Sequence, residues 1–133
     1  MLKLEHVGIA VKDLAISNAL FSSLLNTTPY KQETVISESV KTSFFKAGDT
    51  KIELLEAQNE NSAISKFIEK RGEGIHHLAF EVENIENEID RLKNEGFIFI
   101  SEKPKSGADN KRICFLHPKG TNGVLIELCE EIK

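Results

Sequence analysis

The sequence has no long apolar run. Its continuous apolar stretches, such as Val124 to Ile126, fall far short of the ~20 residues that a membrane-spanning helix needs, so it holds no candidate span. A dominant sign of charge is also missing. Seventeen Lys and Arg stand against 21 Asp and Glu, a net charge of −4, and the charges are scattered along the chain. That distribution offers no basic face to nucleic acid or to an anionic membrane. Cysteine is scarce: Cys114 and Cys129 lie in apolar, strand-like surroundings without CxxC spacing, which excludes a dithiol redox motif and reads as two inert buried thiols. The first residues, Met1 to His6, show no basic region followed by an apolar stretch and a small-residue cleavage site, so the expected location is cytoplasmic. What remains is a chain of 133 residues, 40% hydrophobic and 29% charged, which fits one globular domain or two small packed modules and is too apolar for disorder.

An internal repeat organises the chain, and it is carried by spacing more than by identity. Leu4-Glu5-His6-Val7-Gly8-Ile9-Ala10-Val11 lies over Ile75-His76-His77-Leu78-Ala79-Phe80-Glu81-Val82, with His6 over His77. Both segments read as strands with a bulky apolar face and an opposite, His-bearing face of small or polar residues. Seven residues past each His stands a helix N-cap, Asp13 and Asn84. An apolar stripe follows each cap: Leu14, Phe21 and Leu25 in one half, Ile85, Ile89 and Leu92 in the other. Asn26 and Gly96 are placed to end the helices in the left-handed conformation. Extended segments are then predicted at Val40 to Lys46 and Thr50 to Glu56, and at Phe97 to Ser101, Arg112 to His117 and Gly123 to Cys129. Ser62 to Lys70 reads as a short capped helix closed by Gly72 and Gly74.

The last strand of each half carries nearly the same text, Lys51-Ile52-Glu53-Leu54-Leu55-Glu56 and Leu125-Ile126-Glu127-Leu128-Cys129-Glu130. Glu53 follows His6 by 47 residues and Glu127 follows His77 by 50. Two such modules, each a strand, a helix and then several strands, are most stable with their small sheets joined side by side into a curved cup with the helices outside. In that arrangement His6, Glu53, His77 and Glu127 enter the inner face from symmetry-related positions. Two imidazoles and two carboxylates suit a divalent metal: zinc, cobalt, nickel, iron or manganese. Each taken alone has a plainer reading, the histidines as core or surface residues and the glutamates as solvent-facing ones; matched positions in a repeat are what raise them above it. His76 points away from His77 and is read as a surface or helix contact. His117 falls in a turn. Lys111, Arg112 and Lys119 are candidate contacts for phosphates or other anions, against the plainer reading of solvated loop cations.

The run Gly74-Ile75-His76-His77-Leu78-Ala79-Phe80, the Gly107-Ala108-Asp109-Asn110-Lys111 loop, and Phe115-Leu116-His117-Pro118-Lys119 leading to Gly123-Val124-Leu125-Ile126-Glu127-Leu128 resemble the methylmalonyl-CoA epimerase family, within the vicinal oxygen chelate superfamily of glyoxalase I and the extradiol dioxygenases. The resemblance runs nearly end to end. It implies an α+β fold of two tandem βαβββ modules in a curved, cup-shaped mixed sheet with helices outside, as one vicinal oxygen chelate domain over 1–133 with modules at 1–58 and 75–133 and a linker helix at 59–74. It also implies metal ligation by His6, His77 and Glu127 with Glu53 fourth, and a divalent cation, cobalt first, with zinc, manganese or nickel as substitutes. The implied substrate is methylmalonyl-CoA and the implied assembly a homodimer, with no nucleic acid or membrane partner. Interconversion of the (2R) and (2S) forms would proceed by proton removal and return at C2, with Glu127 as the catalytic carboxylate that the resemblance implies; Glu53, its counterpart in the repeat, is the candidate for the opposite face, and Lys111, Arg112 and Lys119 are the candidate substrate contacts. A second catalytic Glu found in some members falls on Thr42, where this chain has no carboxylate. A glyoxalase I-like lactoylglutathione lyase and an extradiol-type dioxygenase are the alternative activities, and a ligand-sequestering protein of the same fold is the non-enzymatic one.

Overall fold

The structure, a computed structural model, describes residues 1–133. The chain gathers into two compact units, one of residues 6–76 and the other of residues 1–5 with 77–133. No helix is long and apolar enough to cross a membrane.

The first unit runs β1 (Lys3–Ala10, entering the unit at His6), α1 (Leu14–Leu25), β2 (Lys31–Val35), β3 (Val40–Ala47), β4 (Thr50–Ala57) and α2 (Ala63–Arg71). Its strands lie in the order β2-β3-β4-β1, with β1 parallel to β4 and the other neighbours antiparallel. The helix α1 begins where expected: the Asp13 carboxylate accepts from the Ile16 amide at 3.0 Å, and Asn26, with φ of 52°, ends it in the left-handed conformation. Alternation along the strands sends Ile9, Ile52, Leu54 and Phe45 toward α1, where they pack with Val11, Leu14, Phe21 and Leu25. On the opposite face α2, capped by Ser62, lays Ile64, Phe67 and Ile68 over Ala10, Leu55 and Val40.

The second unit repeats the plan with β5 (Gly74–Glu81, entering at His77), α3 (Ile85–Asn94), β6 (Lys105–Ser106), β7 (Lys111–Leu116) and β8 (Ile126–Glu131). The order is β5-β8-β7-β6, again with the first pair parallel and the rest antiparallel. Asn84 caps α3 through the Asn87 amide at 3.0 Å, and Gly96 follows its end with φ of 95°. Val82, Ile85, Ile89 and Leu92 pack on Cys114, Leu116 and Leu128. Each unit is therefore a βαβββ module of mixed pairing, as the family resemblance implies.

Three sequence expectations change. Strand β2 has no counterpart among the expected strands, because Lys31-Gln32-Glu33-Thr34-Val35 is an edge strand with little apolar alternation to mark it. The expected strand at Phe97 to Ser101 reduces to a single bridge, Phe99 to Leu116; the Phe97 amide is taken by the Leu92 carbonyl at the end of α3, and the edge is made instead by Lys105–Ser106. The last strand starts at Ile126 rather than Gly123, since Asn122 and Gly123 have φ of 56° and 82° and form a turn closed by Thr121 and Val124.

Candidate metal centre

In the first unit, register sets the site. Opposite residues on neighbouring strands share a face, so Gly8 on β1, Glu53 on β4 and Phe44 on β3 lie in one row, turned away from α1. His6, two residues before Gly8, is on that face as well. Its Nε2 lies 3.2 Å from Glu53 Oε1, and Phe44 meets the imidazole edge-on with ring centroids 6.2 Å apart. Gly8 has no side chain to obstruct the pair. His6 is 5% exposed and Glu53 4%, which removes the solvent-facing reading of the glutamate.

The second unit builds the same group independently. Ala79, Glu127 and Phe115 form the corresponding row across β5, β8 and β7. His77 Nε2 lies 3.3 Å from Glu127 Oε1, and Phe115 meets the His77 ring at 90° with centroids 5.9 Å apart. His77 is 3% exposed and Glu127 5%. The small neighbour is now Ala79. Each module thus carries a His, a Glu and a Phe in one arrangement, with a Gly or Ala making room.

An imidazole nitrogen and a carboxylate oxygen side by side in a buried setting are donors of the kind that a divalent cation takes, and the chemistry of these donors fits such an ion. Burial of a carboxylate without such a partner is costly, which makes the pairing the condition for both residues being inside.

The remaining predicted residues are placed as follows. Lys111 is buried at the start of β7 on the face of Phe115 and Glu127, and its Nζ donates to the Asp109 carbonyl at 3.3 Å. Arg112 lies on the opposite face, where Nη1 donates to Glu130 at 3.0 Å and the guanidinium pairs with Glu86 of α3. That pairing holds the Glu86 carboxyl below its usual range and raises the guanidinium pKa further. Lys119 sits in a short 3-10 turn, Pro118–Gly120, which His117 caps by accepting from the Lys119 amide at 3.1 Å. His76 packs its ring edge against Phe67 of α2 at 5.0 Å. Thr42 is fully buried, between Leu55 and Glu33, and its hydroxyl lies 3.5 Å from the Glu33 carbonyl. Cys114 and Cys129 are free and buried; burial pushes the Cys114 thiol up to about 12 and the Cys129 thiol up as well, with Glu127 acting in the same direction.

Two residue pairs escaped the sequence reading. Phe44 and Phe115 occur 9 and 12 residues before Glu53 and Glu127, so no constant spacing marks them. Glu56 and Glu130, in contrast, occupy one repeat position, three residues past each site glutamate. Glu56 accepts from the Leu14 amide at 2.6 Å and Glu130 from the Ile85 amide at 3.0 Å, each tying the first residue of a helix to the strand that carries the site.

Residues 5–115 match the glyoxalase/bleomycin resistance protein/dioxygenase superfamily. The chain belongs to that superfamily. Among its relatives, the ethylmalonyl-CoA/methylmalonyl-CoA epimerase of Cereibacter sphaeroides is 41% identical over 128 residues, covering 95% of this chain and 96% of the relative. An uncharacterized Bacillus subtilis protein is 38% identical over 130 residues, covering 98% and 93%. Among solved structures, a methylmalonyl-CoA epimerase in complex with methylmalonyl-CoA and NH4+ superposes with a TM-score of 0.94 at 29% identity, covering 98% of this chain and 95% of that one. The fold is therefore the glyoxalase fold over nearly the full chain, in agreement with the α+β expectation.

Proposed function

We propose that the protein is a methylmalonyl-CoA epimerase in which His6, Glu53, His77 and Glu127 hold one divalent cation. The observation that carries the reading is the buried His–Glu pair found in both modules, at 3.2 and 3.3 Å. The epimerases among the relatives support the substrate. The family resemblance supports cobalt as the cation and a homodimer as the assembly.

The C2 hydrogen of methylmalonyl-CoA lies between a thioester and a carboxylate, so its removal places charge on the thioester oxygen. A bound divalent cation supplies Lewis-acid stabilisation to that charge. Inversion requires proton transfer on opposite faces of the planar intermediate. Glu127 takes the C2 proton from one face and Glu53, its counterpart in the other module, returns one to the opposite face. Their histidines fix each carboxylate in direction, and Phe44 and Phe115 keep the pairs dry, which strengthens interactions with a developing charge. Of the three candidate cationic contacts, Lys111 is assigned to the substrate because it shares the face of Glu127; Arg112 supports β8 through Glu130.

The test is to incubate single-epimer methylmalonyl-CoA with the protein in heavy water. Deuterium entry at C2 accompanied by appearance of the other epimer is the expected result. No exchange from metal-loaded protein would overturn the assignment and direct attention to the hemithioacetal of a lyase.

A further inference from the structure

The helices α1 and α3 occupy one repeat position but carry different outer faces. From Leu14 to Tyr30 the chain has no charged residue, although 29% of the whole is charged. The inward side of α1 is taken up by the core, with Leu14, Phe21 and Leu25 against the sheet. Its outward side is apolar as well: Ile16, Leu20 and Leu24 are 69%, 63% and 70% exposed. At the equivalent places in and just after α3, counted from His6 and His77, stand Asn87, Arg91 and Glu95, all exposed. Both helices meet the same demand from the fold on their inner side, so the contrast concerns what lies outside. A helix apolar all round is one with partners on both sides, and a contiguous exposed apolar row marks an interaction surface.

The face is shaped to meet itself. Ile16, Leu20 and Leu24 make a ridge at four-residue spacing, and the exposed Ala15, Ala19 and Ser23 make a row of small residues alongside it. A two-fold interface sets one patch on the same patch of a second copy, so a helix that pairs with itself must carry both ridge and groove. Two such ridges interdigitate at a crossing angle of about −50°. Charge favours the antiparallel sense: α1 has no acidic residue in its first turn and no basic one in its last, so its ends keep their partial charges, and the positive end of one helix then lies toward the negative end of the other. No side-chain charge is desolvated in the pairing, in keeping with the charge-poor centre of protein interfaces. A membrane surface fits less well, because interfacial helices carry Lys or Arg along the polar face and α1 has neither.

We propose that the outer face of α1 is the contact between two copies of this chain, with the Ile16, Leu20 and Leu24 ridge of each copy against the small-residue row of the other in an antiparallel pair, and Leu20, the middle of the ridge, nearest the two-fold axis. The pairing gives the homodimer named above its surface, and it rests on α1 alone rather than on the epimerase chemistry.

Sedimentation equilibrium of the full-length protein over about a hundredfold range of concentration tests it. Wild type is expected as a dimer of the 14.9 kDa chain. Leu20→Arg and Leu20→Glu are each expected to weaken self-association at least about a hundredfold, since each sets like charges together at the axis. Leu20 is exposed within its own chain, so circular dichroism of both variants is expected to match wild type. Mixed in equal amounts, the two variants are expected to form a dimer again, because opposite charges then meet. Leu24→Gln, which adds no charge, is expected to weaken association about tenfold with folding intact. Asn87→Arg on α3 is the control and keeps the dimer. A monomeric wild type, a dimer unaffected by the Leu20 and Leu24 substitutions, or no recovery in the mixture would overturn the self-pairing. C2 exchange is read separately: a dimer joined through α1 that exchanges no C2 proton keeps the pairing and removes the epimerase assignment, and an exchanging monomer does the reverse.

Discussion

The Glu130 carboxylate accepts a hydrogen bond from the Ile85 amide at 3.0 Å, joining the strand that carries Glu127 to the first turn of α3. Glu56 and Leu14 repeat the contact in the other unit at 2.6 Å. Each glutamate satisfies an amide that a helix leaves without an internal partner, with the favourable sign for a helix N-terminus. Arg112 adds a second bond to Glu130. Glu130→Ala should therefore lower unfolding free energy by about 1–3 kcal/mol, with Glu130→Gln intermediate, in urea denaturation. A change below about 0.3 kcal/mol would show that solvent replaces the contact at no cost.

Leu54 and Leu128 are fully buried at matched repeat positions, one under α1 and the other under α3. Leu54→Ala and Leu128→Ala should each cost about 2–5 kcal/mol, the loss of transfer free energy plus a cavity. Thermal melts of the two variants read this directly. A loss under about 1 kcal/mol in either would mean that the core there collapses around the gap.

Burial raises both thiols, so at a given pH each has less thiolate than an exposed cysteine. A thiol reagent at pH 8 should modify neither Cys114 nor Cys129 in the folded protein and both after denaturation. Raising the pH toward 9 should leave the native protein unreactive, since the Cys114 thiol titrates at about 12. Prompt modification of the native protein would contradict the burial of these residues.

Much of the scaffold is readable in the sequence because local chemistry determines it. Asp13, Asn84 and Ser62 are capping residues at the starts of apolar stripes, and the helices begin at them. The matched text around Glu53 and Glu127 marks two equivalent strands. Features that depend on cross-strand register are less visible. Phe44 reaches His6, and Phe115 reaches His77, through pairing with β4 and β8, and the connecting loops differ in length between the halves. The polar edge strand β2 lacks an alternation signal for the same kind of reason: its partners, not its own side chains, make it a strand.

Substitution of the paired carboxylates tests the proton-transfer roles proposed for Glu127 and Glu53. Glu127→Gln and Glu53→Gln should each lower the epimerisation rate by about 10²- to 10⁴-fold, the range for loss of a positioned acid–base group. The substitutions keep the shape and hydrogen-bonding capacity of the site, so folding should persist. Full epimerisation and full metal content in Glu53→Gln would remove Glu53 from the mechanism.

The most direct measurement of the central claim is a cobalt titration of metal-stripped protein, with C2 exchange of methylmalonyl-CoA followed at each addition. The proposed single centre of His6, Glu53, His77 and Glu127 predicts that stripped protein is inactive and that activity rises linearly to a break at one cobalt per chain. Full exchange in the stripped protein, or a break at two cobalt ions per chain, would contradict a single centre built from His6, Glu53, His77 and Glu127.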